Sequence, residues 1–288
     1  MGTDVWDAFD GRAHQLRMGL RALGSSAWVA LPPAPELAAE LDRKAALLVA
    51  GRDDVIAAVD DPAVGAAAGE LAGLLGDHLA AHHGDRSRLE RGTLTLLDDG
   101  RQWVTSAFDP LDLVGRVATE DWCLVRPGRP PVLAAATLCS PNRWRLAEKL
   151  GRPIADIHDP VPGYRRRLAG PVDGVLDGRP RRLWRRNWSI QSSPSRFQPR
   201  ADGPEIPAVP DQVWVRSEYE TLVPLPRTGW WVFGIQTTVR PLVEIAARPA
   251  VAARVHAAVA TLDPETAAYK DMAPWHRALT EWLAVTAG

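Results

Sequence analysis

Gln212-Val-Trp-Val-Arg-Ser-Glu-Tyr-Glu-Thr-Leu222, then Pro224, Pro226 and Gly229, then Trp230-Trp-Val-Phe-Gly-Ile-Gln-Thr-Thr-Val239 is the stretch that decides the fold. Both runs are rich in the β-branched and aromatic residues that suit a pleated, half-buried surface, and the prolines and glycine between them fit a hairpin-like return. In the first run Glu218 and Glu220 alternate with Tyr219, so a period of two puts both carboxylates on one face and the phenol on the other. Upstream, Leu183 to Ile190 reads as another strand. Thr93 to Leu97 and Gln102 to Ser106 read as a β-hairpin around Asp98-Asp99-Gly100, since Asp-Gly supplies the backbone angles a tight turn needs.

Working outward, Leu37, Leu41, Ala45, Leu48 and Val49 recur at helical spacing between Pro35 and Val59, and Asp61-Pro62 opens a second amphipathic stretch ending near His83. A helix is expected from Pro110 to Val125, a short strand from Val132 to Thr137, and a further helix from Ser140-Pro141 to Gly151. Helices near Pro241 to Ala247, Ala250 to Thr261 and Trp275 to Val285 close the chain. The expectation is one α+β domain over residues 1–288: helical over about 10–90, mixed over about 91–240 and helical over about 241–288, with one antiparallel sheet covered by helices. The segment Ser193 to Pro210 is long for a loop, which suggests a flap over a cofactor.

Composition excludes several classes. A net charge of -1 with both signs interspersed leaves no basic stripe for nucleic acid, although 31 of the 34 basic residues are arginines, Lys44, Lys149 and Lys270 being the exceptions. Met1 to Asp10 is acidic without an apolar core of a signal peptide, and no apolar run approaches the roughly 20 residues that span a bilayer, so no membrane partner is expected. Two cysteines, Cys123 and Cys139, fit a reducing cytoplasm and cannot alone supply the four thiolates of an iron–sulfur cluster. No phosphate loop, dinucleotide fingerprint or nucleophile elbow is present. Twelve tryptophans against four Phe and three Tyr are surplus flat apolar surface that can wall a planar cofactor or fill a core.

Among the histidines, His78 and His82 share one face of an expected helix but lack a third ligand nearby. His158 stands in Ile154-Ala-Asp-Ile-His-Asp-Pro-Val-Pro162, where two prolines fix the backbone just after the imidazole and Asp156 and Asp159 could orient it. A rigid loop of this kind can aim a ligand at iron; a structural histidine satisfies the same pattern. Cys123 and Cys139 are the competing ligands, both in apolar contexts that disfavour the thiolate.

Several segments in order carry a resemblance: Arg17-Met-Gly-Leu-Arg21, Trp144 with Lys149-Leu-Gly151, Ile157-His-Asp-Pro-Val-Pro162, Arg185-Arg-Asn-Trp188, Thr221-Leu222 with Leu225-Pro226, Pro241-Leu242 and Tyr269-Lys270. Over about residues 10–275 the chain resembles the haem-dependent oxidative N-demethylase family. That resemblance implies a PAS-like fold holding haem b, and a monooxygenase-type oxidation of a small amine using O2 and electrons from a separate flavin or iron–sulfur reductase. It places the axial iron ligand on His158 and cofactor contacts on Arg185, Asn187, Trp188 and Arg216. Glu218 and Tyr219 become the expected catalytic pair, and Glu218 and Gln236 the expected substrate contacts. The chain departs from the family pattern at Tyr219, Pro224 and Gln236, where arginines are usual, and loss of positive charge there would admit a more cationic or bulkier amine. A haem-based gas or redox sensor and a peroxide-driven enzyme are the other readings the resemblance leaves open.

Overall fold

The computed structural model describes residues 4–200 and 206–288. Among these the strands in chain order are β1 (Arg21–Ala22), β2 (Ile56–Ala58), β3 (Ser87–Glu90), β4 (Thr93–Leu96), β5 (Gln102–Val104), β6 (Asp121–Arg126), β7 (Val132–Thr137), β8 (Leu183–Gln191), β9 (Trp214–Pro224) and β10 (Trp231–Pro241). Seven form one antiparallel sheet in the order β1-β8-β9-β10-β6-β7-β2, and β3-β4-β5 form a small second sheet. The fold is mixed α/β. The β9–β10 hairpin pairs over eleven positions, from Trp231 opposite Pro224 to Pro241 opposite Trp214, and is the spine to which the other strands attach.

Alternation along these strands separates two environments. On one face Trp122, Leu124, Val223 and Val232 pack against Leu37 and Leu41 of the helix Ala34–Ala50 and Leu71 and Leu75 of the helix Ala63–His82. Gly234 sits here because a Cβ would come within 2.8 Å of the Trp122 ring. Toward the other end of the sheet, Ile190, Val213 and Val215 meet the C-terminal helices Pro249–Val259 and His276–Ala287 through Val255 and Leu279. On the opposite face Cys123, Ala136 and Phe233 pack against Ile154 and Ile157, while Val125, Leu222 and Trp231 pack against Val172 and Leu176. The whole helical connection between β7 and β8 lies over that face.

Several expectations shift. The helix expected over Pro110 to Val125 stops at Val117, and Asp121–Arg126 is instead the buried strand β6. Its continuous apolar run is what a strand covered on both faces requires, and periodicity alone does not distinguish this from a buried helix. Residues 56–58 end the first helical region as an edge strand, the helix expected from Ser140 is only Leu146–Lys149, and Pro264–Tyr269 is an additional helix. The small sheet means that the secondary structure is not one covered sheet alone. The Ser193–Pro210 loop is pinned in its described part by Arg143 N donating to Gln198 O and by Arg196 pairing with Glu40; residues 201–205 lie outside the described ones.

The start of β6 is anchored by buried charge. Lys44, fully buried on the helix Ala34–Ala50, donates to the carbonyls of Ala118 and Glu120 and lies 3.5 Å from Asp121, whose oxygens accept from Cys139 N and Ser140 N. Burial pushes the neighbouring Glu120 carboxyl up to about 7, against the opposing pull of Lys44. A folded value above the unfolded one means its contribution is present below about pH 4.5 and is lost as pH rises to about 7. Denaturant titrations across that range should therefore show wild type losing about 3 kcal/mol relative to Glu120→Gln; parallel pH profiles would contradict the buried carboxyl.

Candidate functional site

His158 follows the short helix Ile154–Ile157, and its half-buried ring is fixed on two sides. Its Nδ1–H donates to Ile154 O at 2.8 Å, and Tyr164 stacks on it with ring centroids 4.7 Å apart and planes 12° from parallel. The Nδ1 bond puts the proton on that nitrogen and leaves Nε2 without a partner among the described residues. Burial lowers the ring's pKa, Ile154 O opposes the shift, and Arg185 and Lys149 add to it, so the imidazole is held neutral. A neutral ring with one nitrogen anchored to a carbonyl and the other free is the donor set an axial iron ligand needs. Asp156 and Asp159, the expected orienting carboxylates, are engaged by Arg165 instead.

Beside the imidazole runs a charge ladder across β8 and β9. Register puts Arg185 opposite Glu220, Asn187 opposite Glu218 and Ser189 opposite Arg216, all on the face that carries the Ile154–Leu176 connection. Arg185 makes an ion pair with Glu220 through Nε and a longer bond to Met18 O at 3.4 Å. Glu218 accepts from Arg216 Nε at 2.8 Å and Asn187 Nδ2 at 3.0 Å. Arg216, wholly buried, also donates to Arg196 O, Ser140 O and Thr237 Oγ1. Burial raises the Glu218 carboxyl, yet Arg216, Asn187 and Arg185 outweigh it and hold it below its ordinary value. For Glu220 burial prevails over Arg185, with Glu218 adding to it, and its pKa lies above the ordinary value.

The expected residues thus divide between two faces. His158, Arg185, Asn187, Arg216 and Glu218 come to one side. Trp188, Tyr219 and Gln236 point to the other, as the two-residue period demands once Arg185 and Glu218 are fixed. Trp188 packs on Phe9 with centroids 5.0 Å apart and carries the Lys270 ammonium 4.5 Å above its ring, so it walls the C-terminal core. Tyr219 donates to Ala27 O and leans on Trp184. Gln236 donates to Ala30 O and Thr119 Oγ1 and lines, with Thr238, Arg196 and Arg240, a recess of about 310 Å³ away from His158. Single-sequence reading missed Tyr164, whose buried Oη has no hydrogen-bond partner among the described residues. The signal was an aromatic six residues past His158, behind a glycine whose φ of 76° starts the next helix.

The alternatives are placed as clearly. Burial pushes both Cys123 and Cys139 up to about 12, far from thiolate at neutral pH. His78 and His82 rings approach to 4.7 Å, but burial first, and then His82, pushes His78 down to about 4, and no group of three metal-ligating side chains occurs among the described residues. No helix among them is long and apolar enough to cross a membrane.

Residues 19–280 match the family model described as haem-dependent oxidative N-demethylase, alpha subunit-like.

The ladder makes a quantitative expectation. Arg216→Met leaves Glu218 buried without its main cation and should cost about 3–5 kcal/mol of stability. Adding Glu218→Gln to that variant should recover part of the loss in a double-mutant cycle; additive penalties would show that the two side chains are not coupled.

Proposed function

Because the chain belongs to the haem-dependent oxidative N-demethylase alpha-subunit-like family, we propose that it is a haem-binding enzyme that oxidises an amine, with His158 as the axial ligand. The observation that carries this reading is the His158 ring itself: neutral, stacked on Tyr164, pinned through Nδ1 and free at Nε2. PAS-like architecture is supported by the strand order. Counting from β6, the five central strands run two-one-five-four-three, with the helical connection that carries His158 between the second and third.

The residues present fit a haem. The orphaned Tyr164 Oη and the free Nε2 lie in one cluster with Arg185, whose charge is felt by both rings. Ile154, Ile157, Phe233 and Leu222 supply apolar surface on the same side. Arg185 is suited to a cofactor carboxylate, since a guanidinium makes two parallel hydrogen bonds to such a group. Haem b would supply oxygen binding and activation, with electrons from a separate flavin or iron–sulfur reductase.

The chain's own groups then account for substrate handling. Glu218 is committed to Arg216 and Asn187, so it acts mainly by fixing the ladder. Glu220 has Arg185 as its one ion-pair partner among the described residues, and its raised pKa marks it as the carboxyl able to exchange a proton or accept an amine's N–H. Tyr164 stays protonated, its hydroxyl pushed up to about 12 by burial, and is a donor for a polar atom bound beside the imidazole. Tyr219 and Gln236 support the sheet from behind.

Expression with added haem should give a chain with a Soret band, and supplying a reductant with an N-methylated amine should release formaldehyde. Glu220→Gln should keep the Soret band while lowering turnover by about 10²–10⁴-fold. A chain that takes up no haem would overturn the reading, and full turnover by Glu220→Gln would remove that residue's role.

A further inference from the structure

The segment between the first short helix and β1 has no regular secondary structure, yet it is ordered as an extended strap. From Ala13 to Leu20 exposure alternates residue by residue, with His14, Leu16, Met18 and Leu20 turned inward and Ala13, Gln15, Arg17 and Gly19 turned outward. That is a strand's period without a strand's ladder. Arg21 and Ala22 pair with Trp184 and Leu183, but pairing ends there, leaving the outer edge of β8 unpaired beyond Trp184 among the described residues. The break coincides with Gly19, whose φ of 64° lies in the left-handed region and turns the chain off the register; Gly11 at the far end has φ 77°.

The strap lies against the surroundings of His158 at Gly163 and at Arg185. A Cβ on Gly163 would lie 3.6 Å from Leu16 Cδ2, so Leu16 rests on the residue next to Tyr164, which stacks on His158. Met18 O accepts from Arg185, the guanidinium that also holds Glu220. His14 N donates to Thr261 Oγ1, and its ring meets Trp188 at 5.8 Å. Between Gln15 and Leu20 the backbone receives one hydrogen bond among the described residues, the 3.4 Å bond from Arg185. Ordering each residue costs about 1–2 kcal/mol of chain entropy, so a segment anchored at its ends and held between them by one long backbone bond, the exposed Arg17–Asp10 ion pair and the Leu16 contact opens far more easily than the sheet beside it.

We propose that residues 12–20 are the removable wall of the His158 site, hinged at Gly11 and Gly19 and latched by Arg185, and that the bulk of Leu16 sets the size of amine admitted. This rests on the reading of the site as a haem-bound amine oxidase. The latch uses the same guanidinium that would meet a cofactor carboxylate, so wall position and cofactor occupancy are coupled through Arg185. The physical basis of selection is steric: each carbon that must be accommodated against Leu16 either finds space or displaces the strap.

Two measurements test it. Hydrogen–deuterium exchange on the haem-free chain should find amides 13–20 exchanging at least about a hundredfold faster than those of β8 and β9; strap amides as protected as the sheet would overturn the gate. In the haem-loaded chain, spectral titration with secondary amines from dimethyl to dibutyl should show Leu16→Ala shifting preference toward the longer amines by about tenfold, and Leu16→Trp shifting it the other way. An unchanged preference in both variants would overturn the selection role. Failure of the underlying haem reading looks different, as absence of a Soret band from wild type and variants alike, and the exchange result stands or falls without it.

Discussion

Two carboxylates buried two residues apart on β9 are the constraint around which the site is organised. Neither Glu218 nor Glu220 can remain ionised inside the molecule without a cation, and the sheet supplies one to each: Arg216 from the same strand and Arg185 from the neighbour. Register then has no freedom, because slipping β8 by one residue would carry Arg185 and Asn187 to the far face, leaving Glu220 without its cation and Glu218 without its amide donor. The cations extend the constraint outward. Arg216 ties the ladder to the Ser140 turn and the Arg196 loop, and Arg185 ties it to the strap and to the surroundings of His158.

The same arrangement explains why the His158 loop can be preorganised without a metal-like cluster of acids. The imidazole is aimed by Ile154 O and by a stacked phenol, both uncharged, while the charges that act on it, Arg185 and Lys149, are both positive. Burial, with Arg185 and Lys149 adding to it, keeps the ring neutral, which is the form that ligates iron, and leaves its orientation to local geometry.

Much of the sheet was legible because its signals are local. Asp99-Gly100 marks the β4–β5 hairpin, and Pro224, Pro226 and Gly229 mark the return between β9 and β10. The two faces of β9 followed from alternation alone, which sets Glu218 and Glu220 apart from Tyr219. What alternation could not give was the consequence for a site assembled from several motifs: Tyr219 and Gln236 are neighbours of the ladder in sequence and lie across the sheet from it in space. β6 was misread because a strand buried on both faces and a buried helix present the same apolar run. Lys44, Glu120 and Asp121 were not foreseen as a cluster, since Lys44 is separated from the others by more than seventy residues and nothing local pairs them. Tyr164 was missed for a related reason: its role depends on stacking against a ring that only the folded loop brings parallel to it.

The claim that most of this account depends on is that His158 Nε2 is the bond to iron, and a cavity variant with an exogenous ligand tests it directly. Haem-loaded His158→Gly should lose the wild-type Soret spectrum and regain it on addition of imidazole, because the free base would occupy the space of the deleted ring and supply the same nitrogen. Retention of the wild-type spectrum by His158→Gly without imidazole would contradict the assignment and place the ligand elsewhere in the chain.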